Sequence, residues 1–167
     1  MNEAEKSEWK RAGRQALVSG TAASLLSTAI MALAGKLERD APAGPLNGPG
    51  QWVFGRKAAR HPSFNNRYTL TGFLIHHLTA SGWALLHERV FGRNKARQTP
   101  VQRLRNATIT ATVANVVDYQ LTPRRLQPGF DAQLSRKAML AIYAAFAVGL
   151  TVYDLTSRRR QTARRQE

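Results

Sequence analysis

The residues best suited to chemistry are polar side chains inside two stretches with few charges. The stretches are 68–91, where Glu88 is the first charged residue after Arg67, and 106–121. The side chains are His76, His77, Asn115 and Asp118. A carboxylate and an imidazole in apolar surroundings can hydrogen-bond two helices together, or they can bind or relay a proton or another cation.

Metal binding is not favoured by the spacing of the histidines. Adjacent residues on a helix point about 100° apart, so His76 and His77 do not aim at one ion. His76 and His87 share a face but stand about 16 Å apart. We therefore predict no metal site and no cofactor. Phosphate-binding, dinucleotide-binding, nucleophile-elbow and zinc-protease motifs are absent, so an enzymatic role is not favoured, although it stays open.

Four apolar segments must position these residues. Residues 15–35 contain no charged side chain, and a helix of that length spans about 30 Å, the thickness of a bilayer's hydrocarbon core. Residues 138–153 form a second charge-free run. The sequence predicts an all-α fold, a four-helix transmembrane bundle forming a single domain over 1–167. The spans are predicted near 15–35, 69–91, 106–122 and 138–156, with basic loops and a Pro/Gly-rich first loop.

Small residues recur every four positions in the first and last segments. One row holds Ala16, Gly20, Ser24, Thr28 and Ala32, and a shorter one holds Ala141, Ala145 and Gly149. In lipid, helices associate through close backbone approach at such rows. We expect them to mark helix interfaces, within the bundle or with a membrane-protein partner or second copy. A cleavable signal peptide is the alternative for the first segment, because Ala32-Leu33-Ala34 matches a cleavage pattern.

The distribution of charge favours a membrane over nucleic acid as partner. The net charge is +15, from 25 Lys and Arg against 10 Asp and Glu, and the basic groups lie between or outside the apolar segments. A nucleic-acid-binding helix would instead carry basic residues along one face. With four spans, 15 basic residues fall on the side of the termini and 10 on the other, which predicts cytoplasmic termini. The chain contains no cysteine.

The long first connection, 36–67, contains four prolines and four glycines. Its segment 41–50 is not expected to form a regular helix. Trp52 and Phe54 follow, and they indicate either a short element at the membrane interface or a solvent loop with a hydrophobic anchor.

An antiparallel arrangement of the second and third segments would bring the polar residues to one depth. His76 and His77 would lie about 12 Å from the segment's start, and Asn115 and Asp118 about 5–9 Å from the same end. We therefore predict that His76 or His77 contacts Asn115 or Asp118. The contact would either hold the two helices together or form a proton or ion site. Interfacial ion pairs are expected at the opposite end, between Glu88 and Arg105 and between Asp154 and either Arg14 or Lys10.

The layout, with Thr71-Gly72-Phe73-Leu74-Ile75-His76-His77 and Gly82-Trp83-Ala84 in the second segment, resembles small uncharacterised four-helix inner-membrane proteins of bacteria. The resemblance implies a location in the inner membrane and brings no known activity. The sequence thus favours an integral membrane protein with a structural, accessory or small-solute role. The alternatives are an intramembrane His/Asp site for protons, ions or metals, and a basic helical nucleic-acid-binding protein.

Overall fold

A computed structural model describes residues 2–152, apart from the side chains of residues 94 and 96. This part of the chain is helical and contains no strand, which confirms the all-α prediction. The α-helices are α1 (Glu3–Arg39), α2 (Gln51–Phe54), α3 (Arg56–Ala59), α4 (Asn66–Phe91), α5 (Pro100–Val116) and α6 (Arg136–Leu150). A π-helical turn, Val117–Leu121, extends α5. Short 3-10 turns cover Pro45–Gly50, Gly92–Arg97, Arg124–Leu126 and Phe130–Ala132.

Local sequence signals set the ends of the long helices. Asn2 and Thr99 form capping boxes at the starts of α1 and α5, and Asn65 and Ser135 cap α4 and α6 through their side chains. These side chains accept hydrogen bonds from backbone N–H groups that have no partner within the helix. Asp40 adopts a left-handed conformation at φ 52° and ends α1. The predicted extension of the last helix to residue 156 lies outside the described residues.

Helix α1 is central and packs mainly against α4 and α6, while α5 packs mainly against α6. Its small residues allow the backbones to approach closely. A Cβ added to Gly20 would lie 3.0 Å from the Cα of Ser81 on α4, and one added to Gly149 of α6 would overlap the backbone of Ala23. Residues 15–35 therefore supply the packing partner of two other long helices.

The bundle buries small residues and exposes large aliphatic ones. The core of the four long helices is built mainly from alanine, glycine and serine, with Met31, Ile142, Phe146 and Leu150 as its larger members. The outer face of α4 carries a row of exposed aliphatic side chains at four-residue spacing: Leu70, Leu74, Leu78, Leu86 and Val90. Exposed Leu and Val also line α1, α5 and α6. In an amphipathic helix of a water-soluble bundle, large apolar side chains face mainly the core.

Among residues 2–152, one helix has the length and hydropathy of a membrane span, namely α1. Buried core helices and signal sequences satisfy the same criterion.

The first connection folds into a compact cap, together with the connection between α5 and α6. Asn47 is fully buried and donates to the carbonyl oxygens of His61 and Ser63 at 2.8 and 3.0 Å. Gln133 donates to the carbonyl oxygens of Gly44 and Ala59 at 2.9 and 2.7 Å. These amides satisfy carbonyl groups that proline-rich segments leave without helical partners. The cap covers the bundle end at which α1 and α5 finish and α4 and α6 begin.

Candidate functional site

A cleft lies directly beneath the cap, between α4 on one side and α5 and α6 on the other. Its volume is about 50 Å³, enough for one or two water molecules or a group of similar size. Aromatic rings from the cap and the helices form much of its wall: Trp52, Trp83, Phe130, Tyr143 and Phe146. Its polar groups are those of Ser27, His76, Thr79, Asp118 and Tyr143. An apolar wall with a few converging polar groups is typical of small-ligand sites.

His76 is held in the cleft wall by contacts from two directions. Its Nε2 lies 2.9 Å from the hydroxyl oxygen of Ser27 on α1, and the edge of its ring meets Phe130 of the cap at 5.8 Å between centroids. The Ser27 hydroxyl donates to the Ala23 carbonyl at 2.7 Å. Ser27 therefore accepts from His76, which places the imidazole proton on Nε2.

Asp118 reaches the cleft from the π-helical turn at the end of α5. Its carboxylate accepts a hydrogen bond of 2.6 Å from the hydroxyl of Tyr143 on α6. The side chain of Asn115 interacts with the same hydroxyl, as expected for residues three apart on one helical face. Single π-helical turns often occur at functional sites, because the inserted residue redirects a side chain.

The residues of the predicted polar layer contact different helices. His76 of α4 contacts Ser27 of α1, and Asp118 at the end of α5 contacts Tyr143 of α6. His87 and Thr110 are joined by a 2.8 Å hydrogen bond, whereas His76 and Asp118 meet at the cleft, so α4 and α5 run antiparallel. Counting back along α4 and forward along α5 brings His76 and Asp118 to the same end, where both line the cleft. They share the cleft rather than a hydrogen bond, since Ser27 and Tyr143 are their partners.

His77 does not line the cleft. Its ring stacks on Phe73 at 5.9 Å, and its buried Nδ1 has no hydrogen-bond partner. The separation from His76 follows from the angle of about 100° between successive residues on a helix.

A second polar group lies at the opposite end, and here the prediction of an interfacial ion pair is wrong. Glu88 is fully buried, and its carboxylate oxygens lie 2.8 and 2.7 Å from the Nζ of Lys95. Ser19 of α1 donates to the same carboxylate at 2.9 Å. The expected partner, Arg105, is exposed, because the turn between α4 and α5 folds Lys95 inward instead.

The other expected pair cannot be placed, because Asp154 lies outside the described residues; Arg14 is exposed.

Sequence reasoning did not assign a role to Ser27, Tyr143 or Lys95. Ser27 is one of the small residues in 15–35, for which the sequence predicts only helix packing. Tyr143 stands in an otherwise apolar run, and Lys95 falls in a connection where basic residues are expected to be solvated. A tyrosine in a helix of Ala, Val and Leu was the available signal, because its hydroxyl needs a partner when buried.

Among residues 2–152, no group of three or more His, Asp or Glu side chains converges in a way that would hold a metal ion. No protein-family model, curated protein or solved structure matches the chain.

Proposed function

We propose that this chain is an integral membrane protein whose four long helices cross a bilayer. The outward-facing aliphatic side chains carry this proposal. On α4 the side chains of Leu70, Leu74, Leu78 and Val90 are 56–69% exposed, whereas the inner face presents small and polar groups. Soluble monomers rarely expose large contiguous apolar patches, and lipid chains would cover the aliphatic side chains of these outer faces.

The same arrangement explains why mean hydropathy identifies a single helix. The inward face of α4 carries His76, His87 and Glu88, which lower the average over the helix although they do not contact lipid. Helices α5 and α6 have described lengths of 17 and 15 residues, below the usual length of a span. The π-helical turn lengthens α5 by five residues.

Membrane extraction tests the proposal. Washing membranes with concentrated salt removes proteins held by charge alone, a necessary control for a chain of net charge +15. Alkaline carbonate removes peripheral proteins as well. We expect the chain to stay in the membrane pellet through both washes, and its release by carbonate would refute integral insertion.

The proposed location is the bacterial inner membrane with both termini in the cytoplasm. Ten basic residues within 2–152 lie toward each end of the bundle, and the five others all belong to residues 158–165, after the last predicted span. The natural chain contains no cysteine, so single-cysteine variants report orientation cleanly. Ser63→Cys in the exposed cap should react with an impermeant maleimide from the periplasmic side, and reaction only after permeabilisation would reverse the assignment.

We further propose that the cleft is the functional centre and takes a small cationic solute. Asp118 is the one formally charged side chain at neutral pH among its lining residues, in a protein rich in positive charge. Aromatic faces and a carboxylate together favour ammonium-like groups. The volume of about 50 Å³ suits an occupant of roughly the size of methylammonium.

Intrinsic fluorescence can test this ligand class, because Trp52 and Trp83 line the cleft and the third tryptophan, Trp9, does not. Methylammonium should change the emission of the purified protein in a saturable way, whereas choline, which is too large for the cleft, should not. Asp118→Asn should abolish the response. An equal response in Asp118→Asn, or none in the natural chain, would exclude this ligand class.

Proton relay is the second candidate function, because His76 and Asp118 face one cleft that has room for water. Proteoliposomes with an internal pH dye and a potassium diffusion potential measure proton flux directly. Flux through the natural chain that Asp118→Asn removes, while the protein still inserts, would support a relay. Equal flux in both would leave the pair as structural contacts.

Nucleic-acid binding is the rival of another class. The even division of basic residues between the two ends of the bundle, within 2–152, counts against a single binding stripe. Steeply salt-dependent binding of the purified protein to DNA or RNA would favour it.

A further inference from the structure

A cluster of charged side chains surrounds the end of the bundle opposite the cap. We name it the terminal cluster. Its members come from α1, from the end of α4 and the turn after it, and from α5: Glu8, Arg11, Glu88, Arg89, Arg93, Lys95 and Arg103. Glu8 pairs with Arg89 at 2.9 Å and with Arg93 at 3.2 Å. Glu88 pairs with Lys95, and Arg103 donates to the Lys95 carbonyl at 2.6 Å.

The terminal cluster has an excess of positive charge. Five of its members are cationic and two are anionic, so the formal charge of these seven described residues is +3. Lys95 and Arg103 are more than nine-tenths buried. Like charges held together in partly buried surroundings repel one another and attract an anion from outside.

Two guanidinium groups also hold buried nitrogens that find no hydrogen-bond acceptor among residues 2–152. These are Nη2 of Arg11 and Nε of Arg89. Arg11 uses its other terminal nitrogen for Gln15 at 3.1 Å, and Arg89 uses Nη2 for Glu8. A buried donor without an acceptor is unfavourable, and such groups often mark the position of an absent ion or ligand.

Gly92 lets the side chains of these groups pack closely against the backbone of the turn after α4. A Cβ at this position would lie 2.9 Å from Nη1 of Arg11 and 3.1 Å from Oε2 of Glu88. Exposed aliphatic side chains lie at the same end of the bundle, among them Val90 on α4 and Val101 on α5. Exposed Trp9 packs against Arg89, with the guanidinium carbon 5.5 Å from the ring centroid, and tryptophan is enriched at the membrane interface.

We propose that the terminal cluster binds the headgroup of an anionic phospholipid, with the acyl chains lying along the adjacent aliphatic surface. Phosphate oxygens accept from guanidinium groups with good geometry. The net negative charge of such a lipid compensates the excess that a zwitterionic lipid leaves unbalanced. Basic pockets at the cytoplasmic side of helical bundles bind headgroups in this way. The inference rests on the proposed membrane insertion and on the proposed cytoplasmic position of this end.

Native mass spectrometry of the detergent-purified protein tests it with defined lipids. Phosphatidylglycerol and phosphatidylcholine are added in equal amounts, and we expect about tenfold more retention of phosphatidylglycerol. The double variant Arg11→Gln/Arg89→Gln should lose this preference. The matched control, Arg56→Gln/Lys57→Gln, removes two exposed charges near the cap and should keep it.

Equal retention of both lipids by the natural chain, or an equal loss of preference in both variants, would overturn the site. Inorganic phosphate forms a separate arm: if it displaces phosphatidylglycerol at equal concentration, the cluster recognises soluble phosphate rather than lipid. Circular dichroism of each variant checks folding, and if the double variant unfolds, Arg89→Lys replaces it, for which we expect a reduced preference because lysine lacks the planar fork. The outcome of carbonate extraction does not depend on lipid preference. Failure of the proposed membrane insertion is therefore distinguishable from failure of the proposed headgroup site.

Discussion

The Glu88 carboxylate and the polar groups of the cleft differ in how completely the protein encloses and pairs them. At the end opposite the cap, Glu88 is enclosed and accepts from Ser19 and Lys95. Beneath the cap, His76 contacts Ser27 and Asp118 contacts Tyr143, and both face an open volume rather than each other. The first arrangement holds α1, α4 and the following turn together, and the second leaves polar atoms available to a ligand.

This difference shows that polar residues on the inner face of one helix can serve unlike purposes. His76 and Glu88 lie twelve residues apart on α4, and both are buried. Polar residues that only hold helices together need a protein partner for every polar group, because a buried unpaired charge destabilises the fold. A binding site requires that some polar atoms can still form hydrogen bonds with a ligand. The comparison predicts that substitutions in the closed region affect stability, whereas those in the cleft affect ligand response.

The largest effect is expected for Lys95→Ala. This change leaves the fully buried Glu88 carboxylate without its cation, which should lower the free energy of unfolding by about 3–5 kcal/mol. Thermal melting in detergent measures it. The control is Lys36→Ala, which breaks an exposed ion pair with Asp40 and should be nearly silent. Similar melting temperatures for the two variants would mean that Glu88 is hydrated rather than enclosed.

A smaller loss is expected for Ser27→Ala, which removes the acceptor of His76. The buried imidazole N–H is then unsatisfied unless water reaches it from the cleft, so we expect a loss of about 1–2 kcal/mol. Thr21→Ala on the exposed face of α1, whose hydroxyl bonds only to its own helix, provides the matched control. A loss as large as that of Lys95→Ala would show that the cleft is as closed as the region around Glu88.

Asp118→Asn should change stability by less than about 1 kcal/mol, because the amide oxygen still accepts from Tyr143. Its ligand or proton response should nevertheless disappear. Chemical denaturation and the methylammonium titration, performed on the same preparation, separate the two effects. A strongly lowered free energy of unfolding in Asp118→Asn would instead show that Asp118 serves mainly to stabilise the fold.

The smallest effect concerns Glu38, which is exposed and links the end of α1 to the start of α6. Its carboxylate accepts from the backbone N–H and the hydroxyl of Ser135, and these hydrogen bonds lower its pKa below the ordinary 4.5. A lowered pKa in the folded protein means that the contribution is present above pH 4.5 and is lost as the pH falls through the folded value. The Glu38→Ala variant should therefore have a slightly lower melting temperature than the natural chain at pH 7. In acid the two melting temperatures should be equal. A pH-independent difference would contradict this assignment.

Sequence reasoning predicted more of the fold than of the site. Helix boundaries follow from capping residues such as Asn65 and Thr99, and these are readable locally. The folded cap was not predicted, because Asn47 and Gln133 act on carbonyl groups distant in the chain. Antiparallel order and helical rise placed His76 and Asp118 near one depth, but the choice of Tyr143 as partner depends on α6 lying beside α5. The order in which the helices surround the bundle axis is not encoded in the spacing of apolar residues along the sequence.

The central claim is that the outer faces of the helices contact lipid, and collision accessibility of spin labels tests it most directly. A nitroxide at Leu78, 69% exposed and near the middle of α4, is placed in the protein reconstituted into bilayers, with a label at Ser63 in the cap for comparison. Oxygen concentrates in lipid and the nickel chelate in water, so we predict high oxygen and low nickel collision rates at Leu78 and the reverse at Ser63. A high nickel rate at Leu78 would contradict the claim by showing water there, and low rates for both reagents would contradict it by showing a protein partner in place of lipid.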